Sequence, residues 1–524
     1  MKKILTTAIL CAGLTGFTAC DSFLDEEPKS SITDISYYKT EDQIIANVNS
    51  MYRTGATDFL ANMTGAYRGS SASVSDMLTG YFSNDFGGQE VDCSYAHSLT
   101  RQDHTAMTCT YQTNNVWRYA YSVINRANGV IKNIGNVEMT NASRYKAEAQ
   151  FFRALNYFYL VKMFGDVPMI TEPTEGLTDE SYPTRTAKSD IYTNVIVPDL
   201  KEAVSNLPAA TFAANGHRVT KYAAEMVLAD VYMMLGQYAD AASLLKDVIN
   251  NSGATLTANT DMGIGSAYNI LRENDDLPEV IWAYEYDGSI SNTGNLPTHA
   301  FNGDAEKIFT TYTLWVNVFN VSDQYLNVYE DNDLRIQPNQ FFHWTYTNPN
   351  TGETWSSETA CNWYWHDENA VLNTSIGTKD WNFYRLSEAL LSAAECIAQS
   401  EGVTAEAAGY LAQVKARANM EGKTVAAITA EVQRLGKQAF IEECWTERLR
   451  ELPLEMKHWN DCLRTQKFPV ISKTEKGKVT YVDLIGATNG AGATFKATDL
   501  VWPIPVEEIQ RNPNLTQNEG YSRE

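Results

Sequence analysis

Val219-Thr220-Lys221-Tyr222-Ala223-Ala224-Glu225-Met226-Val227-Leu228-Ala229-Asp230-Val231-Tyr232-Met233-Met234-Leu235 runs into Gly236-Gln237 and then Tyr238-Ala239-Asp240-Ala241-Ala242-Ser243-Leu244-Leu245-Lys246-Asp247-Val248-Ile249. Apolar residues recur three and four positions apart in both runs, which places them on one face of a helix. The glycine between the runs supplies the turn. Small residues (Ala223, Ala224, Ala229, Ala239, Ala241, Ala242) alternate with bulky ones, as two closely paired helices require. This is the pattern of a tetratricopeptide-like helical hairpin, a unit that buries its apolar face only by stacking on others of its kind.

Outward from that hairpin, other segments repeat the grammar. Tyr384 to Ala398 with Ala405 to Ala418 reads as a second pair, and Tyr145 to Phe164 as a long helix ended by Gly165 and Pro168. Helical spacing also covers Glu41 to Gly55, Trp117 to Asn128 and a final helix, Gly436 to Leu452, stopped by Pro453. No regular 34-residue period appears, so the repeats are degenerate and split by insertions. Thr57 to Thr110, rich in Ser, Thr, Asn and Gly, reads as long irregular connections, where function usually resides. Roughly 255 to 380 has another texture: Glu279 to Glu285 reads as a strand, and helical periodicity is scarce from Arg335 to Asp380. Residues 301–384 hold 18 of the chain's aromatic residues and six of its eleven tryptophans. The expected fold is mainly α, a tetratricopeptide-like scaffold of helical pairs with a loop-rich, aromatic-rich ligand-binding insertion and little β.

The 524 residues carry 41 Lys and Arg against 64 Asp and Glu, a net charge of −23. Such a surface repels phosphate backbones, which argues against nucleic acid as a partner. Met1-Lys2-Lys3, the apolar run Ile4 to Phe17 and the small pair Thr18-Ala19 form a secretory signal, residues 1–19, too short to be a transmembrane helix. Cys20 follows directly. Cys396, Cys444 and Cys462 sit in apolar helical patterns as buried thiols, while Cys93 and Cys109 lie in a polar stretch where an exported protein permits a disulfide. No Cys/His set has zinc spacing, no HExxH, GxSxG, GxxxxGK[ST] or GxGxxG occurs, and no catalytic, metal or cofactor residues are assigned. Glu443, Glu447 and Glu451 share one helical face with Arg448 and Arg450 nearby, which reads as a structural ion-pair network.

The junction before Cys20 resembles a bacterial lipobox, which makes Cys20 the acylated N-terminus of the mature chain. Asp21, Asp25, Glu26 and Glu27 resemble the surface-export signal of Bacteroidetes lipoproteins. Phe440-Ile441-Glu442 through Glu447-Arg448-Leu449-Arg450-Glu451-Leu452, with Glu455, Trp459, Asp461 and Arg464, resembles the C-terminal signature of the RagB/SusD family of outer-membrane nutrient-binding lipoproteins. Further matches run in the expected order: Cys20 to Asp25 with Pro28, Ala147 to Leu155 with Phe164 to Pro168, Arg385 to Ala389 with Ala394-Glu395, and Pro503 to Tyr521. The chain departs from the pattern at Met456, where the family often has Gly, and at His458, where Arg usually precedes the Trp.

The resemblance implies a protein held on the outer membrane by its N-terminal lipid and facing the cell exterior. It would capture oligosaccharides, pass them to a SusC-like TonB-dependent transporter and do no covalent chemistry. On that reading residues 20–40 are a lipidated tether, 41–260 a SusD-like N-terminal part and 261–524 a RagB/SusD C-terminal part of one integrated unit. Sugars offer C–H faces that stack on aromatic rings. The candidate contacts are therefore Trp315, Trp344, Trp355, Trp363 and Trp365, with both tryptophans of Trp363-Tyr364-Trp365 on one face if that tripeptide is extended. Asp76, Tyr81, Asp85, Tyr95 and Arg101 belong to the early loops that contribute to the family's pocket. Trp117, Trp282, Trp445, Trp459 and Trp502 are expected in the core. A peptide-capturing RagB-type protein shares every scaffold motif and is the alternative; a surface glycan-degrading enzyme is the more distant one.

Overall fold

A computed structural model describes residues 38–61, 76–83, 101, 105–174, 182–290, 294–311, 315 and 319–522, with backbone alone at 59–61 and 106–112. Cys20, Asp85, Cys93 and Tyr95, and the Cys109 side chain, lie outside what it describes.

The helices that build the scaffold are α1 (Glu41–Met51), α2 (Ala106–Asn133), α3 (Ala142–Phe164), α4 (Val197–Asn206), α5 (Lys221–Met234), α6 (Tyr238–Asn251), α7 (Leu386–Glu401), α8 (Ala405–Ala418), α9 (Lys437–Glu451), α10 (His458–Thr465) and α11 (Val506–Arg511). Each long helix packs on the next, α2 on α3, then α4, α5, α6, α7 and α8, while α9 returns to pack on α7. The hairpin that opened the sequence reading is α5–α6. Thr220 caps its first helix by accepting from the Ala223 amide, and Gly236 turns the chain at φ 71°, a conformation cheap only for glycine. Because α6 packs on α7, the insertion between them leaves the scaffold and comes back to it, and the helical row stays continuous in space.

The β content is a set of two-stranded antiparallel pairs. β1 (Val280–Tyr284) pairs with β4 (Trp381–Arg385), β2 (Phe342–Thr347) with β3 (Thr354–Asn362), and β5 (Lys467–Ile471) with β6 (Val479–Asp483). Two expectations are corrected here, and one element is new. Tyr384 belongs to β4 and not to the helix, which starts at Leu386. The helix over 437–451 is not the last, since α10 and α11 follow. The β5–β6 hairpin was not foreseen, because Pro469 and the Lys- and Gly-rich 473–478 interrupt its pattern.

One apolar core runs through the scaffold from Tyr38 to Leu515 and holds Trp117, Trp282, Trp445, Trp459 and Trp502. A second, smaller core lies in the insertion. Phe301 is its hub, edge-on to Phe309, Trp315 and Tyr346, with Trp355, Trp363 and Cys361 completing it. Cys396, Cys444 and Cys462 are buried free thiols, as expected.

Beneath the insertion the scaffold is tied by charge. Glu451 of α9 accepts from Arg385 at 2.6 Å, Arg417 at 2.5 Å and Arg335 at 3.0 Å, all of them buried. Arg385 also meets Glu279 and Glu455 at 2.9 Å each, and Arg417 meets Glu279 at 2.6 Å. Burial alone would raise the Glu451 carboxyl, but Arg417, Arg385 and Arg335 outweigh it and hold it at about 2. The family-signature acids and arginines are thus the joint between α7, α8, α9 and β4.

Candidate functional site

Four of the five candidate tryptophans are not exposed. Trp315, Trp355 and Trp363 belong to the second core, and Trp365 packs edge-on to Phe319 at 4.9 Å; only Trp344 is half-buried. Two of the buried indoles have polar partners. Trp355 Nε1 donates to Asp304 at 2.9 Å and Trp363 Nε1 to Asn269 at 2.9 Å. Trp363-Tyr364-Trp365 is not extended, because the Trp363 and Tyr364 amides both donate to the Phe341 carbonyl and His366 turns back onto Trp363. Trp363 stacks on His366 at 4.0 Å, while Trp365 joins the other core. His343, walled in by the same rings, is pushed down to about 3 by burial, so its imidazole is neutral at neutral pH.

The early-loop candidates divide similarly. Tyr81 is buried, stacked on Phe468 and donating to the Pro469 carbonyl at 2.7 Å, so it anchors β5. Asp76 is buried against α10, where one carboxylate oxygen accepts from the Trp459 amide. Both lie in the packed interior. Arg101 is exposed.

Of the candidates, Trp365 is the one that lines a cleft. Trp381 and Asn382 of β4 form the cleft with it, Trp365 and Trp381 lying 6.3 Å apart at 34°; Tyr364, Leu296, Pro297 and Asp380 also line it. Pairing with β1 sets Trp381 opposite Tyr284 and Asn382 opposite Ala283, so the sheet fixes both side chains. Trp365 Nε1 and Asn382 Oδ1 are buried and meet no hydrogen-bond partner. Such groups usually find one, and an unmade buried bond costs about 1–3 kcal/mol. Asp380 accepts from the Tyr286 amide at 2.7 Å, and burial pushes its carboxyl up to about 8. Neighbouring Glu285 is raised to about 7 by burial and by Asp276. Trp381, Asn382 and Asp380 were missed in the sequence because they sit at the edge of a segment read as helix.

A larger groove lies between α2, α11 and the Pro168–Thr174 segment, lined by Trp117, Tyr121, Tyr182 and Arg511. Its inner polar groups are satisfied: Tyr121 donates to Pro168 at 2.7 Å, Asn125 accepts from the Thr174 amide at 2.7 Å and Asn512 donates to Pro183 at 2.8 Å. Of these two hollows, only the Trp365–Asn382 cleft has lining residues with an unmade bond. Among the described residues, His217, Asp276 and Glu285 bring donor atoms close enough to consider a metal ion. The imidazole uses Nε2 toward Asp276 at 2.9 Å and Nδ1 toward Glu285 at 3.2 Å. It bridges the two acids with opposite ring nitrogens, and one ligand atom from each of the three residues lies within 4.8 Å of the others.

A row of paired helices carrying a loop-built, aromatic-walled cleft is the architecture of a ligand-capturing scaffold. The chain belongs to the SusD/RagB family. Residues 278–521 match the SusD family and residues 22–233 a family described as starch-binding associating with outer membrane. It is similar to SusD-like protein P2 of Formosa agariphila, 25% identical over 99% of this chain and 100% of that protein. Among solved structures, a SusD superfamily protein from Parabacteroides distasonis is 25% identical with a TM-score of 0.77, covering 92% of this chain and 99% of that one. Surface glycan-binding protein A from Bacteroides thetaiotaomicron, in complex with laminarihexaose, is 18% identical with a TM-score of 0.65, covering 92% of this chain and 100% of that one, a likeness of fold. No helix among the described residues is long and apolar enough to cross a membrane.

Proposed function

We propose that this protein is a cell-surface glycan-binding lipoprotein that captures oligosaccharides in the Trp365–Trp381 cleft and delivers them to a SusC-like TonB-dependent transporter. The observation that carries the reading is the pairing of aromatic walls with an unpartnered donor and acceptor in one cleft of a SusD-family scaffold. Aromatic faces take the C–H side of a pyranose, and a hydroxyl both accepts and donates. The descriptions of structural neighbours as laminarin-binding or laminarihexaose-bound support the ligand class. The arrangement binds without bond-making: Glu455 is held by Arg385, Asp380 by the Tyr286 amide, and Asp367 accepts from the Ala370 amide at 2.9 Å. The protein is anchored at the outer membrane by the acylated Cys20, faces the exterior and caps its transporter.

Calorimetry of the purified protein against a glycan panel and a peptide pool tests the ligand class. Glycan binding with no peptide binding is expected; peptide binding alone would convert the assignment to a RagB-type peptide receptor, and turnover of a polysaccharide by the pure protein would make it an enzyme.

A further inference from the structure

His217 stands in the segment between α4 and α5, Asp276 in the turn before β1, Glu285 directly after β1 and Asp380 directly before β4. The β1–β4 register pairs Tyr284 with Trp381, so the next residues outward, Glu285 and Asp380, come side by side at the end of the strand pair. Their carboxyls are in hydrogen-bond contact, and Glu285 Oε1 is buried with no N–H to accept from. Two carboxyl groups touch only when a proton or a cation is between them. The side chains of Asp276 and His217 are 46% and 34% exposed, which leaves the group open to solvent on one side. Among the described residues no lysine or arginine is ion-paired with Asp276, Glu285 or Asp380. Lys379 is taken by Asp275, and Arg53 donates to the Glu285 carbonyl and covers the Tyr284 ring. The imidazole is what these acids have instead.

We propose that His217, Asp276 and Glu285 form a site for a divalent cation of the zinc type, held by one imidazole nitrogen and one carboxylate oxygen from each acid, with Asp380 beside Glu285. One ligand atom from each of the three residues already lies within 4.8 Å of the others. Ligands at about 2.0–2.2 Å on a tetrahedral ion stand roughly 3.3–3.6 Å apart, so side-chain rotation on a partly exposed surface gathers them. The imidazole nitrogen left over faces a carboxylate, the arrangement that orients a ligating histidine. An imidazole among carboxylates suits zinc and its first-row neighbours, whereas calcium and magnesium take oxygen ligands. A doubly charged ion also neutralises both carboxyls of the Glu285–Asp380 contact, where an imidazolium offers a single charge. Three protein ligands and an open side leave the remaining position to water. The ion ties the α4–α5 segment to β1 and β4, the strand pair that carries Trp381 and Asn382.

The test is calorimetry and thermal melting of the chelator-treated full chain with zinc, calcium and magnesium chlorides in turn. Zinc should bind about ten-fold or more tighter than calcium or magnesium and raise the melting temperature. His217→Ala, and separately Asp276→Asn, should weaken zinc binding by about ten-fold or more and abolish that rise. Both side chains are partly exposed, so melts without metal should show the fold intact in each variant. Asp276→Asn, close in shape to the native residue, carries the reading should the alanine variant misfold. Absence of zinc binding, zinc affinity unaltered in either folded variant, or calcium bound as tightly as zinc overturns the site and leaves His217 as an ion-pair bridge between two acids.

Discussion

Asp76 shows what one buried acid does to the pH dependence of the fold. Burial raises its carboxyl from 3.8 to about 7, and its free oxygen faces His458 Nδ1 at 3.7 Å, an imidazole that burial pushes down to about 4. Both are neutral in the fold at mildly acidic pH. An acid whose folded value is raised contributes fully below its unfolded value, and that stability is lost as pH rises through about 7, here on the order of 4 kcal/mol. Asp76→Asn should therefore flatten the fall in melting temperature between pH 5 and pH 8; an equal fall in both proteins would mean that Asp76 is ionised in the fold. Trp355 makes the second prediction at this scale. As a member of the second core its replacement by Ala should cost about 3–5 kcal/mol in denaturant unfolding, whereas the half-buried Trp344 should cost far less. The aromatic density of 301–384 was legible, but burial was not, because Asp304 and Asn269 look like solvent-facing residues until they are seen to accept from indole N–H groups. Met456 has φ +61° and a buried side chain, so the strain of a left-handed residue, roughly 1–2 kcal/mol, is set against its packing in the core.

At the scale of elements, α9 adds a row of buried charges to its apolar face of Phe440, Ile441, Trp445 and Leu449. Its acids were readable from their i, i+4 spacing, yet their main partners, Arg335, Arg385 and Arg417, lie 34 to 116 residues away, and no local pattern announces such a distance. The same limit hid the β1–β4 pair, whose strands are about a hundred residues apart, and with it the cleft residues Trp381 and Asn382. Helices α3, α5, α6 and α8 were legible because their apolar period is local. Glu451→Gln should lower stability by about 3–5 kcal/mol, since it leaves three buried guanidinium groups short of one charge. With Glu451 held at about 2, the wild-type network keeps its charge well into acid, and its contribution is lost only as pH falls through that value. A Gln variant as stable as wild type in urea would mean that packing, and not charge, joins α9 to α7 and α8.

For the molecule as a whole, the proposed lipid anchor and transporter would decide where it works. A single acyl chain holds only marginally, at about 0.8 kcal/mol per buried CH₂, so stable residence calls for more than one chain on Cys20. Cys20→Ala should release the protein from the outer membrane fraction; unchanged surface labelling would exclude the anchor. On the proposed reading a lipidated tether would keep the effective concentration high, so docking on the barrel would not need to be tight. Co-purification with a SusC-like barrel in mild detergent is expected, and recovery only as a lone monomer beside the transporter in the same extract would count against the pairing.

The second core around Phe301 has a consequence for ancestry. Phe309, Trp315, Tyr346, Trp355 and Trp363 pack chiefly on one another, while the ion-paired joint of α9 lies in the scaffold below. Substitutions in this second core are thereby screened from the helical row, and a lineage is free to rewrite it while inheriting the row intact. Divergence among descendants should therefore be fastest at Phe301–Trp315 and Tyr346–Trp363 and slowest along α7, α9 and the Arg335 that pairs with α9.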